Sequence, residues 1–97
     1  VYEAAIRETC PDGVDVYFDN VGGEILHAAL ACLNQHARVA VCGWSSTYND
    51  SELPALTNLW QLVAQSVTSR GLVVLDFLDR CPEAIAQLAE WVMEGKI

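Results

Sequence analysis

The sequence predicts an α/β fold, three parallel strands with flanking helices, and three observations carry that reading. Apolar runs at 14–19, 38–43 and 72–77 are each bounded by turn residues. Between them lie stretches whose apolar residues recur every three or four positions, the helical period. The runs themselves show little polar alternation, as in strands covered on both faces. Strands alternating with helices in this way call for right-handed crossovers and a single parallel sheet.

The chain opens on "VYEAAIRET" (1–9), which reads as the tail of a helix because no capping residue precedes it. "CPDG" (10–13) is a turn, punctuated by Pro11 and Gly13. "VDVYFD" (14–19) is the first strand. A helix fits 23–34, with Ile25, Leu26, Ala29, Leu30 and Leu33 on one stripe, and "NQHA" (34–37) breaks it. "RVAVCG" (38–43) is the second strand, and a polar loop follows over 44–54. A helix fits 55–69, facing inward with Leu56, Leu59, Trp60, Val63 and Val67, and Gly71 punctuates it. "LVVLDF" (72–77) is the third strand. Pro82 suits the first turn of a last helix, whose stripe is Ile85, Leu88, Ala89, Val92 and Met93 and whose stop is Gly95. Both chain ends fall beside helices, so the 97 residues are expected to be a piece of something longer.

Composition narrows the function. A 53% hydrophobic content supports a packed core. The net charge of -8, with five basic residues, argues against nucleic acid and against an anionic membrane surface. No apolar run reaches bilayer-spanning length. Cys10, Cys32, Cys42 and Cys81 form no CxxC pair, and only His27 and His36 could join them, so a structural zinc site is not expected. Reduced thiols in a cytoplasmic protein are the expected state.

The ends of the first two strands carry "DNVGG" (19–23) and "CGWSSTYN" (42–49). In a parallel sheet these ends share one edge, the edge where doubly wound folds bind nucleotides. Gly22 and Gly23 permit close backbone approach, the helix that follows favours an anion at its N-terminus, and Asn20 offers an amide. The same residues are also ordinary turn formers, and on composition both readings stand. No GxGxxG occurs, so the usual pyrophosphate cradle is missing from this chain. His27 and His36 read as surface residues, Asp15 and Asp19 as structural carboxylates, and Cys42 as a small buried side chain.

"DGVDVYFDNVGGEIL" (12–26), "ARVAVCGWSSTYN" (37–49), "GLVVLDF" (71–77) and "PEAIAQLAEWVMEGKI" (82–97) together resemble the zinc-independent medium-chain dehydrogenase/reductases. The nearest branch is the NADPH-dependent alkenal/one reductases, with the prostaglandin and curcumin reductases. Residues 50–70 match that pattern less well. The resemblance implies a three-layer partial Rossmann fold, with residues 1–97 as the C-terminal half of the dinucleotide-binding domain of a larger enzyme. It implies NADP as cofactor in the intact enzyme, with weak or no binding to this piece alone. It carries Asn20 to a contact near the nicotinamide, Cys42, Gly43, Ser45, Ser46 and Tyr48 to a loop along the cofactor, and Leu72, Val73 and Val74 to backbone contacts with the carboxamide. Trp44 departs from the small residue expected there. The implied substrates are small enals and enones, with quinones or a non-catalytic interaction module as alternatives. The apolar, weakly guarded strand at 70–77 implies a homodimer joined edge to edge.

Overall fold

The computed structural model describes residues 1–49 and 55–97, so the end of the predicted 44–54 loop lies outside the described residues. Helix α1 spans Tyr2–Thr9 and strand β1 Val14–Asp19. Helix α2 spans Gly23–Leu30 and strand β2 Leu33–Val41. After a 3-10 turn at Ser45–Thr47 come helix α3, Trp60–Ala64, and strand β3, Thr68–Gly71. A 3-10 segment at Val74–Arg80 leads into helix α4, Cys81–Met93. The sheet is parallel throughout, in the order β1-β2-β3. The parallel α/β architecture therefore stands as the sequence predicts.

The predicted break at "NQHA" appears as a bulge. β1 advances from Val14 to Val16 while its β2 partners advance from Leu33 to Arg38. His36, at φ 63, sits in that excursion, and its N–H donates to the Gln65 carbonyl at 2.7 Å. The ladder proper aligns Arg38–Val41 with both β1 and β3. Leu26, Leu30, Leu33, Ala37 and Val39 form the core, joined by Val14, Tyr17, Val41, Trp44, Leu56, Leu62 and Val67. Arg7 fastens α1 to the end of α2, bonding Glu3 one turn earlier and the Ala31 carbonyl at 2.9 Å.

Several boundaries differ from expectation, and β2 runs Leu33–Val41 rather than 38–43. α2 stops at Leu30 rather than 34, because the chain enters β2 at Leu33. The helix predicted over 55–69 is formed only at Trp60–Ala64. It ends when Ser66, at φ 51, takes the left-handed position. The Ser66 N–H then reaches the Val63 carbonyl, and the Val67 N–H reaches the Leu62 carbonyl. This is a Schellman stop, with Leu62 and Val67 both against the core. β3 consequently begins at Thr68, and the strand predicted at 72–77 is absent there. Leu72 still donates to the Val41 carbonyl at 2.8 Å, but β2 ends at Val41 and offers no further partner. Residues 74–80 coil instead, leaving Val74 and Leu75 63% and 66% exposed.

The expectation that β1 is covered on both faces also fails. Tyr17 and Asp19 face the helices, whereas Val16 and Phe18 are 59% and 56% exposed on the other face. α4 buries none of its residues.

Candidate functional site

Asp19 ends β1 with its side chain fully buried. A carboxylate removed from water must be fully hydrogen-bonded. Here its oxygens accept the N–H of Val21 at 3.2 Å, the N–H of Gly22 at 3.0 and 3.1 Å, and the Tyr17 hydroxyl at 3.1 Å. Burial, followed by the charge of Asp19 and the bond to it, pushes the Tyr17 phenol up to about 12. The carboxylate thus holds the turn that leads into α2, bonding the N–H groups of Val21 and Gly22 rather than those of the first helical turn.

Gly22 makes the turn possible. Its φ of 69 and ψ of -154 belong to a region that side chains avoid. A Cβ there would lie 2.8 Å from the Trp44 ring. Trp44, which departs from the small residue the resemblance implies, lies over Gly22 and packs against the core. Its indole N–H and Asn58 Oδ1 are buried without partners among the described residues.

The second strand end is stitched to the first. The Asp19 carbonyl accepts the N–H of Cys42 at 2.7 Å and of Gly43 at 3.2 Å. The Asn20 carbonyl accepts from Ser45 at 3.2 Å, and the Val21 carbonyl from Ser46 at 3.0 Å. Gly43 is required for this approach, since a Cβ would stand 2.7 Å from the Asn20 carbonyl oxygen. Thr47 is buried, its hydroxyl donating to the Trp44 carbonyl at 3.1 Å.

The side chains of Asn20, Ser45, Ser46, Tyr48 and Asn49 remain exposed on this edge, and none is charged. Cys42 is half-buried rather than buried. Leu72 is half-buried and Val73 and Val74 are exposed, just beyond the same end of β3. The sheet thus sets the three predicted groups along one edge in the order β1, β2, β3. His27 and His36 are exposed and away from it, with His27 Nε2 3.2 Å from the Thr57 hydroxyl. A cleft of about 490 Å³ lined by Gly23, Glu24 and His27 lies at the start of α2, and another of about 560 Å³ lies beside Phe77 and α4. The organising role of Asp19 was only partly legible: an Asp three residues before a glycine pair signals a side-chain-capped turn, but its second job, through its carbonyl, has no sequence signature.

Comparison with known proteins points the same way. YfmJ of Bacillus subtilis, provisionally named an NADP-dependent oxidoreductase, is 45% identical over 98% of this chain and 29% of its own length. The NADPH-dependent curcumin reductase of Escherichia coli is 35% identical over 95% of the chain and 28% of its own. The crystal structure of CurA from Vibrio vulnificus in complex with NADPH superposes with a TM-score of 0.74 at 32% identity, over 98% of this chain and 30% of CurA. The chain therefore spans under a third of the length of these relatives. A sequence model of the family described as zinc-binding dehydrogenase matches residues 1–92. Among the described residues no group of three or more His, Cys, Asp or Glu could hold a metal ion, so the donors present do not fit a zinc site. On the extent of these matches and the shared parallel sheet, the chain belongs to the zinc-binding dehydrogenase family, alongside members that are NADPH-dependent reductases.

Proposed function

We propose that this chain is the C-terminal half of the dinucleotide-binding domain of an NADPH-dependent reductase acting on the activated C=C bonds of enals and enones. The observation that carries the reading is the uncharged edge where the three strand ends lie in a row, two of them stitched backbone to backbone. Such an edge, lined by the uncharged polar side chains of Asn20, Ser45, Ser46 and Tyr48, suits the neutral, nicotinamide end of a dinucleotide. Bound NADPH would supply a hydride to the β-carbon of the conjugated bond, with a proton then added at the α-carbon.

The chain's own residues bind and orient. The Asn20 amide donates to or accepts from the cofactor. Ser45, Ser46 and Tyr48 line its flank, with Cys42 and Gly43 as backbone neighbours, and Leu72, Val73 and Val74 present backbone groups at the far end. Pyrophosphate binding and most of the substrate pocket would come from outside these 97 residues, so the chain alone is expected to be inactive. A homodimer belongs to the same reading: expected through 70–77, which is strand only to Gly71, it would form through the free edge of β3, which pairs with no other strand among the described residues. The experiment is to express the whole protein that carries this chain and follow NADPH oxidation with a panel of enals, enones and quinones. Turnover of enals or enones supports the reading. Turnover of quinones alone changes the substrate class, and no oxidation with any member of the panel overturns it.

A further inference from the structure

We infer that Asp19 is the positioning residue of the strand-end edge: its buried carboxylate holds the 20–22 turn and thereby sets the 42–48 loop against Asn20. The cofactor consequence rests on the function proposed above; the positioning itself does not.

The argument begins with an unusual burial. Among the described residues, Asp19 is the largest side chain that is fully shut from water. A turn former at a strand end would ordinarily be solvated. Three donors and no acceptor face its carboxylate: the Tyr17 hydroxyl and the N–H groups of Val21 and Gly22. Those bonds determine the path of residues 20–22, and with it where the carbonyls of Asp19, Asn20 and Val21 point. The same three carbonyls accept, in series, the N–H groups of Cys42 and Gly43, then Ser45, then Ser46. One buried carboxylate therefore governs a row of acceptors that a second loop reads. If residues 20–22 relax, Ser45 and Ser46 lose their partners although neither touches Asp19.

The test is amide hydrogen exchange on the whole protein that carries this chain, comparing wild type with Asp19→Asn. Loss of charge-assisted bonds is expected to speed exchange at Ser45 and Ser46 about tenfold or more, with Val39 in the core changed less than about threefold. Unchanged exchange at Ser45 and Ser46 overturns the inference. So does an equal rise at Val39, which would mean simple loss of stability. Should Asp19→Asn lose its helical circular dichroism, Asp19→Ser, a shorter acceptor that can still take one N–H, is read by the same criteria. Tyr17→Phe is the control: it removes one donor but leaves the Val21 and Gly22 bonds, so Ser45 and Ser46 should stay protected.

In the whole protein, Asp19→Asn is expected to raise the KM for NADPH about tenfold or more while kcat changes less than about threefold. A fall in kcat at unchanged KM contradicts a positioning role at the cofactor edge. A wild-type protein that oxidises no NADPH overturns the functional proposal instead, and the exchange result still decides the role of Asp19.

Discussion

Gly22 and Gly71 are both glycines at strand or turn ends, and the structure assigns them opposite tolerances. Gly22 holds a backbone conformation closed to side chains, and Trp44 fills the space above it. Gly22→Ala is expected to cost at least about 1–3 kcal/mol from the backbone alone, read as a lower urea midpoint. Gly71 meets nothing within 4 Å, so Gly71→Ala should stay within about 0.5 kcal/mol of wild type. Tyr17 gives a second test. With its phenol raised to about 12, ultraviolet titration should show one of the three tyrosines ionising late. The folded chain favours the protonated phenol. Between the ordinary value of about 10 and the raised one, the unfolded chain therefore holds fewer protons, and stability falls as pH rises through that window. Tyr17→Phe should remove this alkaline loss. Asn20 exposes its side chain while its carbonyl serves the loop, so Asn20→Ala in the whole protein should weaken NADPH use about two- to tenfold and leave the Tm unchanged. A lower Tm with unaltered NADPH affinity would make Asn20 a turn former only.

At the scale of elements, two helix ends show what a sequence discloses and what it hides. α4 stops where Gly95, at φ 68, takes the left-handed position, with Gly95 and Lys96 donating back to Val92 and Trp91. Glycine announces that stop, and it was legible. α3 stops by the same geometry at Ser66, a residue that announces nothing. That one silent cap displaced the expected third strand from Thr68–Gly71 to 72–77. The apolar run 72–77 reinforced the displacement, because apolar content suggests burial but says nothing of a partner, and β2 has ended by then. Ser66→Gly should relieve the left-handed strain and raise stability by on the order of 1 kcal/mol, again read from the urea midpoint. No change would mean that Ser66 finds compensation outside its backbone. The site was legible at its strand ends, where Asn and Gly stand out. It was hidden where it depends on carbonyls, since Asp19, Asn20 and Val21 work through backbone atoms that every residue shares.

For the molecule as a whole, one sheet face remains open. Val16 and Phe18 lie on it, and α4 adds an exposed stripe of Ile85, Leu88, Val92 and Met93. Exposed apolar surface of this kind marks contact with something else, and the relatives, more than three times as long, have chain to provide it. The free edge of β3 adds a backbone template. At tens of micromolar the chain is expected to scatter light as a species heavier than its 10.6 kDa, and a clean monomer would rule the edge-to-edge dimer out. The central claim, however, concerns the strand-end edge. The most direct measurement is hydrogen exchange on the whole protein with and without saturating NADPH. Protection should rise in segments 19–23 and 42–49 and remain unchanged in α4. NADPH bound tightly, with those two segments unaffected, would contradict the account.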